Sequence, residues 1–205
     1  MESKNLLNVI NKEKIIAVIR TKNKDDFIDI VNILKENNIK IIEVTLTTPN
    51  SFEIIKELSQ YDDLIIGAGT VLDSSSANLA IQSGAQFIVS PAFDKLTAEF
   101  LNIKDVPYIP GCMTVKEMIV AYKYGCKVLK LFPASQFNTG AIKDIKGPLP
   151  NLEFIPTGGI NINNFKDWLS AGSYAVGLGG EITKIYKEKG KEHLSAYLQK
   201  LVGKM

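Results

Sequence analysis

Lys130 and Glu43 occupy settings that are hard to explain without chemistry. Lys130 lies in Val128-Leu129-Lys130-Leu131-Phe132, with apolar residues on both sides. An ammonium group there loses hydration, which costs free energy. Desolvation favours the neutral amine, and the neutral amine is the nucleophile. Glu43 lies in Ile41-Ile42-Glu43-Val44-Thr45-Leu46, a carboxylate among aliphatic and β-branched neighbours. Burial raises the pKa of such an acid and suits it to carry protons. Each charge has two readings: a reacting group, or half of a buried ion pair kept for architecture. As a stabiliser such a pair compares poorly with an apolar core, which favours the functional reading.

Further residues could hold an anion beside this pair. Arg20 is the only arginine among 24 basic residues. A chain that otherwise uses lysine has a reason to keep one planar fork, which grips a carboxylate or phosphate with two parallel hydrogen bonds. The alternative is a surface ion pair. Gly67-Ala68-Gly69-Thr70 offers close backbone approach and a hydroxyl. Thr157-Gly158-Gly159-Ile160 and Gly177-Leu178-Gly179-Gly180 place paired glycines just ahead of helical segments. Their backbone N–H groups could receive a phosphate, although either pair alone could also be a plain tight turn. Ser90-Pro91-Ala92-Phe93 and Pro110-Gly111-Cys112 read equally well as pocket walls or as turn chemistry.

The elements that must position these groups repeat regularly. Short apolar runs predict strands at Ile15 to Arg20, Ile41 to Leu46, Leu64 to Val71, Phe87 to Ala92, Pro107 to Cys112, Val128 to Pro133, Phe154 to Ile160 and Tyr174 to Gly179. Amphipathic segments separate them. One is Asp25 to Asn37, with Phe27, Ile30, Val31 and Leu34 at helical spacing. Thr114-Val115-Lys116-Glu117 is a capping box, Asp73 or Ser74 can cap another helix, and Gly84, Gly125 and Gly172 stand where left-handed C-caps are expected. Gly147, Pro148 and Pro150 cut the sixth crossover helix short. Repeated strand–helix units mean parallel strands with right-handed crossovers. Eight of them predict a single (β/α)8 TIM barrel spanning 1–205, with an extra helix up to about Lys14 covering its bottom. In that fold the strand C-termini carry the chemistry, and alternate strands share interior layers. Glu43 on the second strand and Lys130 on the sixth then face one layer from opposite walls.

Composition excludes several classes. The chain has 205 residues and a net charge of +2. Its charges alternate in sign along the helices, which describes solvated faces rather than a nucleic-acid footprint. No apolar run approaches the roughly 20 residues of a membrane span. Met1 to Asn5 lacks the apolar start of a secretion signal, and Cys112 and Cys126 form no metal or redox motif, so a cytoplasmic address is expected. His193 is the only histidine and lies in a polar C-terminal segment. A Ser-His-Asp triad or a histidine-rich metal site is therefore very hard to build, and no metal or cofactor is expected.

Taken in order, Glu43-Val44-Thr45-Leu46, Gly67-Ala68-Gly69-Thr70-Val71, Ser90-Pro91, Ile109-Pro110-Gly111, Lys130-Leu131-Phe132-Pro133-Ala134 and Pro156-Thr157-Gly158-Gly159-Ile160 closely resemble the 2-keto-3-deoxy-6-phosphogluconate (KDPG) and 4-hydroxy-2-oxoglutarate (KHG) aldolases. The resemblance runs from about Lys14 to Lys184. It implies a class I aldolase in which Lys130 forms a Schiff base with pyruvate and Glu43 shuttles protons. It also implies that Thr70 and Pro91 line the pyruvate pocket and that Phe132 packs beside the imine. The glycines of the last two strand loops (Gly158, Gly159, Gly179 and Gly180, with Thr157 beside them) would receive phosphate. A homotrimer and a metal-free reaction on a small-molecule sugar acid are implied too. The sequence departs from the family pattern at Thr47, where many members carry arginine, and at Gly180, where many carry serine. Arg20 is assigned the carboxylate in place of the missing arginine. A 2-keto-3-deoxy-6-phosphogalactonate aldolase, a phosphosugar epimerase or isomerase, and a non-catalytic sugar-acid-binding barrel are the alternatives.

Overall fold

A computed structural model describes residues 3–204. Met1 and Glu2, part of the expected N-terminal helix, lie outside the described residues, as does Met205. The elements in chain order are α1 (Ser3–Glu13), β1 (Ile15–Ile19), α2 (Lys24–Glu36), β2 (Ile41–Thr45), α3 (Ser51–Leu58), β3 (Ile65–Gly69), α4 (Ser74–Gln82), β4 (Phe87–Val89), α5 (Lys95–Lys104), β5 (Tyr108–Ile109), β6 (Gly111–Cys112), α6 (Val115–Lys123), β7 (Val128–Leu131), α7 (Gly140–Lys146), β8 (Glu153–Pro156), α8 (Phe165–Ser170), β9 (Val176–Leu178), α9 (Gly180–Lys189) and α10 (Lys191–Val202). A short 3-10 turn, Ala134–Gln136, follows β7.

Every strand pairing is parallel, as the crossovers require. The strands form a six-stranded sheet, β5-β4-β3-β2-β1-β9, and a three-stranded sheet, β6-β7-β8. This differs from the expected eight continuous strands. The run Pro107 to Cys112 is split in two at Pro110, which has no N–H to give a ladder. β5 pairs with β4, and β6 pairs with β7. Around the break, the Gly111 N–H donates to Ser90 O at 2.9 Å, and the Lys130 N–H donates to Pro110 O at 2.9 Å. On the other side of the three-stranded sheet, Thr157 bridges Gly177 in parallel, and the Tyr174 N–H donates to Phe154 O at 2.8 Å.

Alternation along the strands creates two cores. Ile15, Ala17 and Ile19 of β1 face the helices, together with Ile42 and Val44 of β2 and Leu129 and Leu131 of β7. The intervening residues Ile16, Ile41 and Val128 join an inner cluster with Phe87, Val89, Ile109 and Ile155. Leu6 and Ile10 of α1 close that inner cluster. Each such side chain, fully buried, contributes roughly 1.5–3 kcal/mol of transfer free energy. The caps form as expected: Thr114 and Glu117 make the capping box, and Asp73 accepts from the Ser76 N–H. Gly84, Gly125 and Gly172 all have positive φ.

Candidate active site

The same alternation puts Glu43 and Lys130 on the inner side of their strands, one step from Ile42 and Leu129, which face outward. Both are buried, Lys130 at 7% exposure and Glu43 at 2%. Lys130 Nζ lies 3.8 Å from Glu43 Oε1. That is charge contact but longer than a hydrogen bond, so the two groups can act on a third one held between them. Lys130 Nζ also sits 5.0 Å from the centre of the Phe132 ring, within cation–π range. Burial holds the Glu43 carboxyl above its ordinary range, opposed by the positive charges of Lys130 and then Arg20. A carboxyl raised in this way is better suited to carry a proton than an ordinary surface carboxylate. Gly69, at the end of β3, makes room for it: a Cβ there would overlap the Glu43 carboxyl group.

Arg20 follows β1 and is exposed, with Nη2 3.5 Å from Thr70 Oγ1, the long limit of a hydrogen bond. Thr70 holds φ 58°, a left-handed backbone that β-branched residues disfavour. Such strain, when maintained by surrounding structure, clusters at functional positions. Beside Arg20 opens a cavity of about 330 Å³, lined by Thr45, Thr157, Gly158, Gly159, Gly179, Gly180 and Thr183 among others. Gly158 and Gly159 have φ 93° and 82°, which turns the backbone tightly at the cavity edge. Gly158 also faces the Phe132 ring: a Cβ on it would sit 3.5 Å from Phe132 Cε2. The cavity therefore adjoins the aromatic wall of the lysine.

Pro91 stands beyond β4, in a turn fixed by hydroxyl groups. Ser90 Oγ donates to Ala92 O at 2.6 Å and lies 2.8 Å from the Tyr108 hydroxyl, which accepts from the Asp94 N–H at 3.2 Å. Gly111 packs so closely on Pro91 that a Cβ there would overlap the Pro91 carbonyl. Cys112 is buried at the end of β6, and burial pushes its thiol up to about 12, so it stays protonated. His193 is exposed on α10. Among the described residues, no group of three or more His, Cys, Asp or Glu side chains is placed to hold a metal ion. Nor is any helix there long and apolar enough to cross a membrane.

Apart from Pro91, which the turn beyond β4 holds separately, the expected site residues fall into two adjoining groups. Lys130, Glu43 and Phe132 meet in the interior. Arg20, Thr157, Gly158, Gly159, Gly179 and Gly180 meet at the cavity, with Thr70 in reach of Arg20. Two polar side chains of the cavity, Thr45 and Thr183, had no expected role. Thr45, two residues past Glu43, lines the cavity, and its hydroxyl donates to Ile19 O at 3.0 Å. Period-two alternation puts it on the same side of β2 as Glu43. Thr183 lies one turn into α9 and gave no sequence signal of its own.

Comparison with known proteins adds a second line of evidence. A family model described as "KDPG and KHG aldolase" matches residues 6–194. The 2-dehydro-3-deoxy-phosphogluconate aldolase of Pseudomonas aeruginosa is 35% identical over 159 residues, 77% of this chain and 72% of that protein. The KHG/KDPG aldolase of Escherichia coli is 31% identical over 166 residues, 80% of this chain and 78% of that protein. A crystal structure of KDPG aldolase from Legionella pneumophila, with pyruvate captured as a covalent carbinolamine, superposes with a TM-score of 0.87 at 28% identity, covering 95% of this chain and 97% of that one.

Proposed function

The chain belongs to the KDPG and KHG aldolase family and is a carbon–carbon lyase; from that premise we propose that Lys130 is its Schiff-base amine and Glu43 its proton carrier. The observation that carries this reading is the buried amine 3.8 Å from a buried carboxyl whose pKa is raised. The covalent pyruvate adduct in the Legionella relative supports it.

The reaction is the reversible cleavage of 2-keto-3-deoxy-6-phosphogluconate into pyruvate and glyceraldehyde 3-phosphate. The Lys130 amine attacks the C2 ketone, water leaves, and an iminium forms. Glu43, directly or through water, takes the C4 hydroxyl proton. The C3–C4 bond breaks, and its electrons pass into the iminium to give an enamine. The aldehyde departs, Glu43 returns a proton to C3, and hydrolysis frees pyruvate. Thr70, Pro91 and Phe132 bound the pyruvate end. The glycine N–H groups and Thr157 hold the phosphate, so the far end of the substrate orients the reacting end. 4-Hydroxy-2-oxoglutarate fits the same lysine without using the phosphate cradle.

The two sheets read best as one eight-stranded barrel, with β5 and β6 a single strand interrupted at Pro110 and closure supported by the Thr157–Gly177 bridge. Assembly into a homotrimer is supported by exposed apolar side chains on successive elements: Leu72 at 65%, Leu96 at 65%, Met113, Val115 and Ile119. Free thiols at Cys112 and Cys126 suit the cytoplasm.

Incubation with pyruvate and borohydride should add a stable mass to Lys130 in the wild-type chain, and KDPG should release pyruvate. A chain left unmodified under conditions that trap another class I aldolase would sink the proposal. Pyruvate release also separates the aldolase from a binding-only barrel. Arg20 carries a second expectation. Arg20→Ala should raise KM for KDPG about 10- to 100-fold, the worth of one charge-assisted bidentate contact. Adding Thr47→Arg should restore part of that loss if the two positions serve one carboxylate. An unchanged KM in Arg20→Ala would remove Arg20 from the site.

A further inference from the structure

Two side chains of the C-terminal segment tie down the two loops that frame the glycine cavity. Tyr197 of α10 donates to Glu181 Oε2 at 2.6 Å. Glu181 directly follows Gly180, and Ile162 lies just past Gly159 and Ile160. Lys204, beyond α10, adds a second tie by donating from Nζ to Ile162 O at 3.3 Å. The C-terminal helix is thus fastened to both halves of the cradle, although Tyr197 itself is no part of the cavity lining.

Glu181 explains why such a fastening matters. It stands in the first turn of α9, where backbone N–H groups and the helix dipole attract negative charge. A carboxylate suits that position until a second anion arrives, and then the two repel. Glu181 does not line the cavity. Its carboxylate is engaged instead by the Tyr197 hydroxyl, away from the cavity lining. Burial, reinforced by the Glu181 carboxylate, pushes the Tyr197 hydroxyl above its ordinary range, so it remains a donor.

We propose that Tyr197 is a positioning residue that holds the Glu181 carboxylate off the anion cavity, and so sets the preference for phosphorylated over unphosphorylated substrates. This rests on the aldolase reading and on the phosphate placement given above. Tyr197→Phe keeps the ring and removes the hydroxyl. In the full chain its KM for KDPG should rise about fivefold, the effect expected of one repelling charge near a helix N-terminus. Its kcat should not change, and neither should its KM for 4-hydroxy-2-oxoglutarate or its trapping of pyruvate. The double variant Tyr197→Phe, Glu181→Gln should return KM for KDPG close to the wild-type value. Equal losses on both substrates would mark a merely structural role and overturn the proposal. So would an unaltered KM for KDPG, or a double variant as weak as the single one. A wild-type chain that cleaves neither compound would sink the aldolase reading itself, and this proposal with it, before any variant is compared.

Discussion

Lys130→Met should abolish carbon–carbon cleavage, with kcat/KM for KDPG falling by about 10⁴-fold or more, because the proposed iminium forms on this amine. Pyruvate and borohydride should then add no mass. Methionine matches the lysine stem in length and belongs beside Phe132, so the interior keeps its packing. The cost to watch is Glu43, left buried without the cation 3.8 Å away. Removing one member of a buried ion pair can cost about 3–5 kcal/mol when the other must stay charged. Glu43 need not stay charged: burial already holds its carboxyl above the ordinary range, and losing Lys130 removes a pull in the opposite direction. The variant should therefore fold with the acid protonated. A cooperative melt accompanied by no turnover is the expected pair of observations. Substantial cleavage by a folded Lys130→Met would show that the amine is a bystander.

Glu43→Gln should separate imine formation from carbon chemistry. Glutamine keeps the shape beside Gly69 but cannot exchange a proton. Cleavage should slow about 10²- to 10⁴-fold, the usual worth of general acid–base catalysis, while borohydride still traps pyruvate on Lys130. Loss of trapping together with cleavage would mean that Glu43 acts earlier than proposed. The same substitution reads out the setting of the acid. The folded-state pKa of Glu43 is raised above the ordinary value of 4.5. Between 4.5 and that raised value, the folded chain binds more protons at this site than the unfolded chain. Stability from Glu43 is thus fully present below the ordinary value and is lost as pH rises through the folded one. Denaturant unfolding across that window should show Glu43→Gln gaining on the wild type as pH increases. A constant difference would place the carboxyl in water.

The strands were legible in sequence because each is a short apolar run bounded by capping and turn residues. Their ends were not, since hydrophobicity continues where pairing stops. Phe154 to Ile160 was expected as one strand, yet β8 ends at Pro156 and the glycine turn begins beyond Thr157. The break at Pro110 was visible as a proline, but only the pairing of β5 with β4 and of β6 with β7 reveals its effect. Lys130 and Glu43 stood out as charges inside apolar runs, and alternation placed both in the interior. Thr183 and Tyr197 could not stand out, because both lie in amphipathic helices where threonine and tyrosine are ordinary. Only the tertiary fold brings Thr183 to the cavity and Tyr197 to Glu181.

The plug formed by Leu6 and Ile10 of α1 fixes the traffic of the catalyst. With Leu6 and Ile10 packed into the inner cluster, the proposed site opens on the side of the glycine cavity, beyond the strand ends. In the proposed reaction the phosphorylated aldehyde is set free by the cleavage, while pyruvate is still held covalently on Lys130. Release then follows the order of the proposed chemistry: the aldehyde leaves first, and pyruvate follows once its imine is hydrolysed.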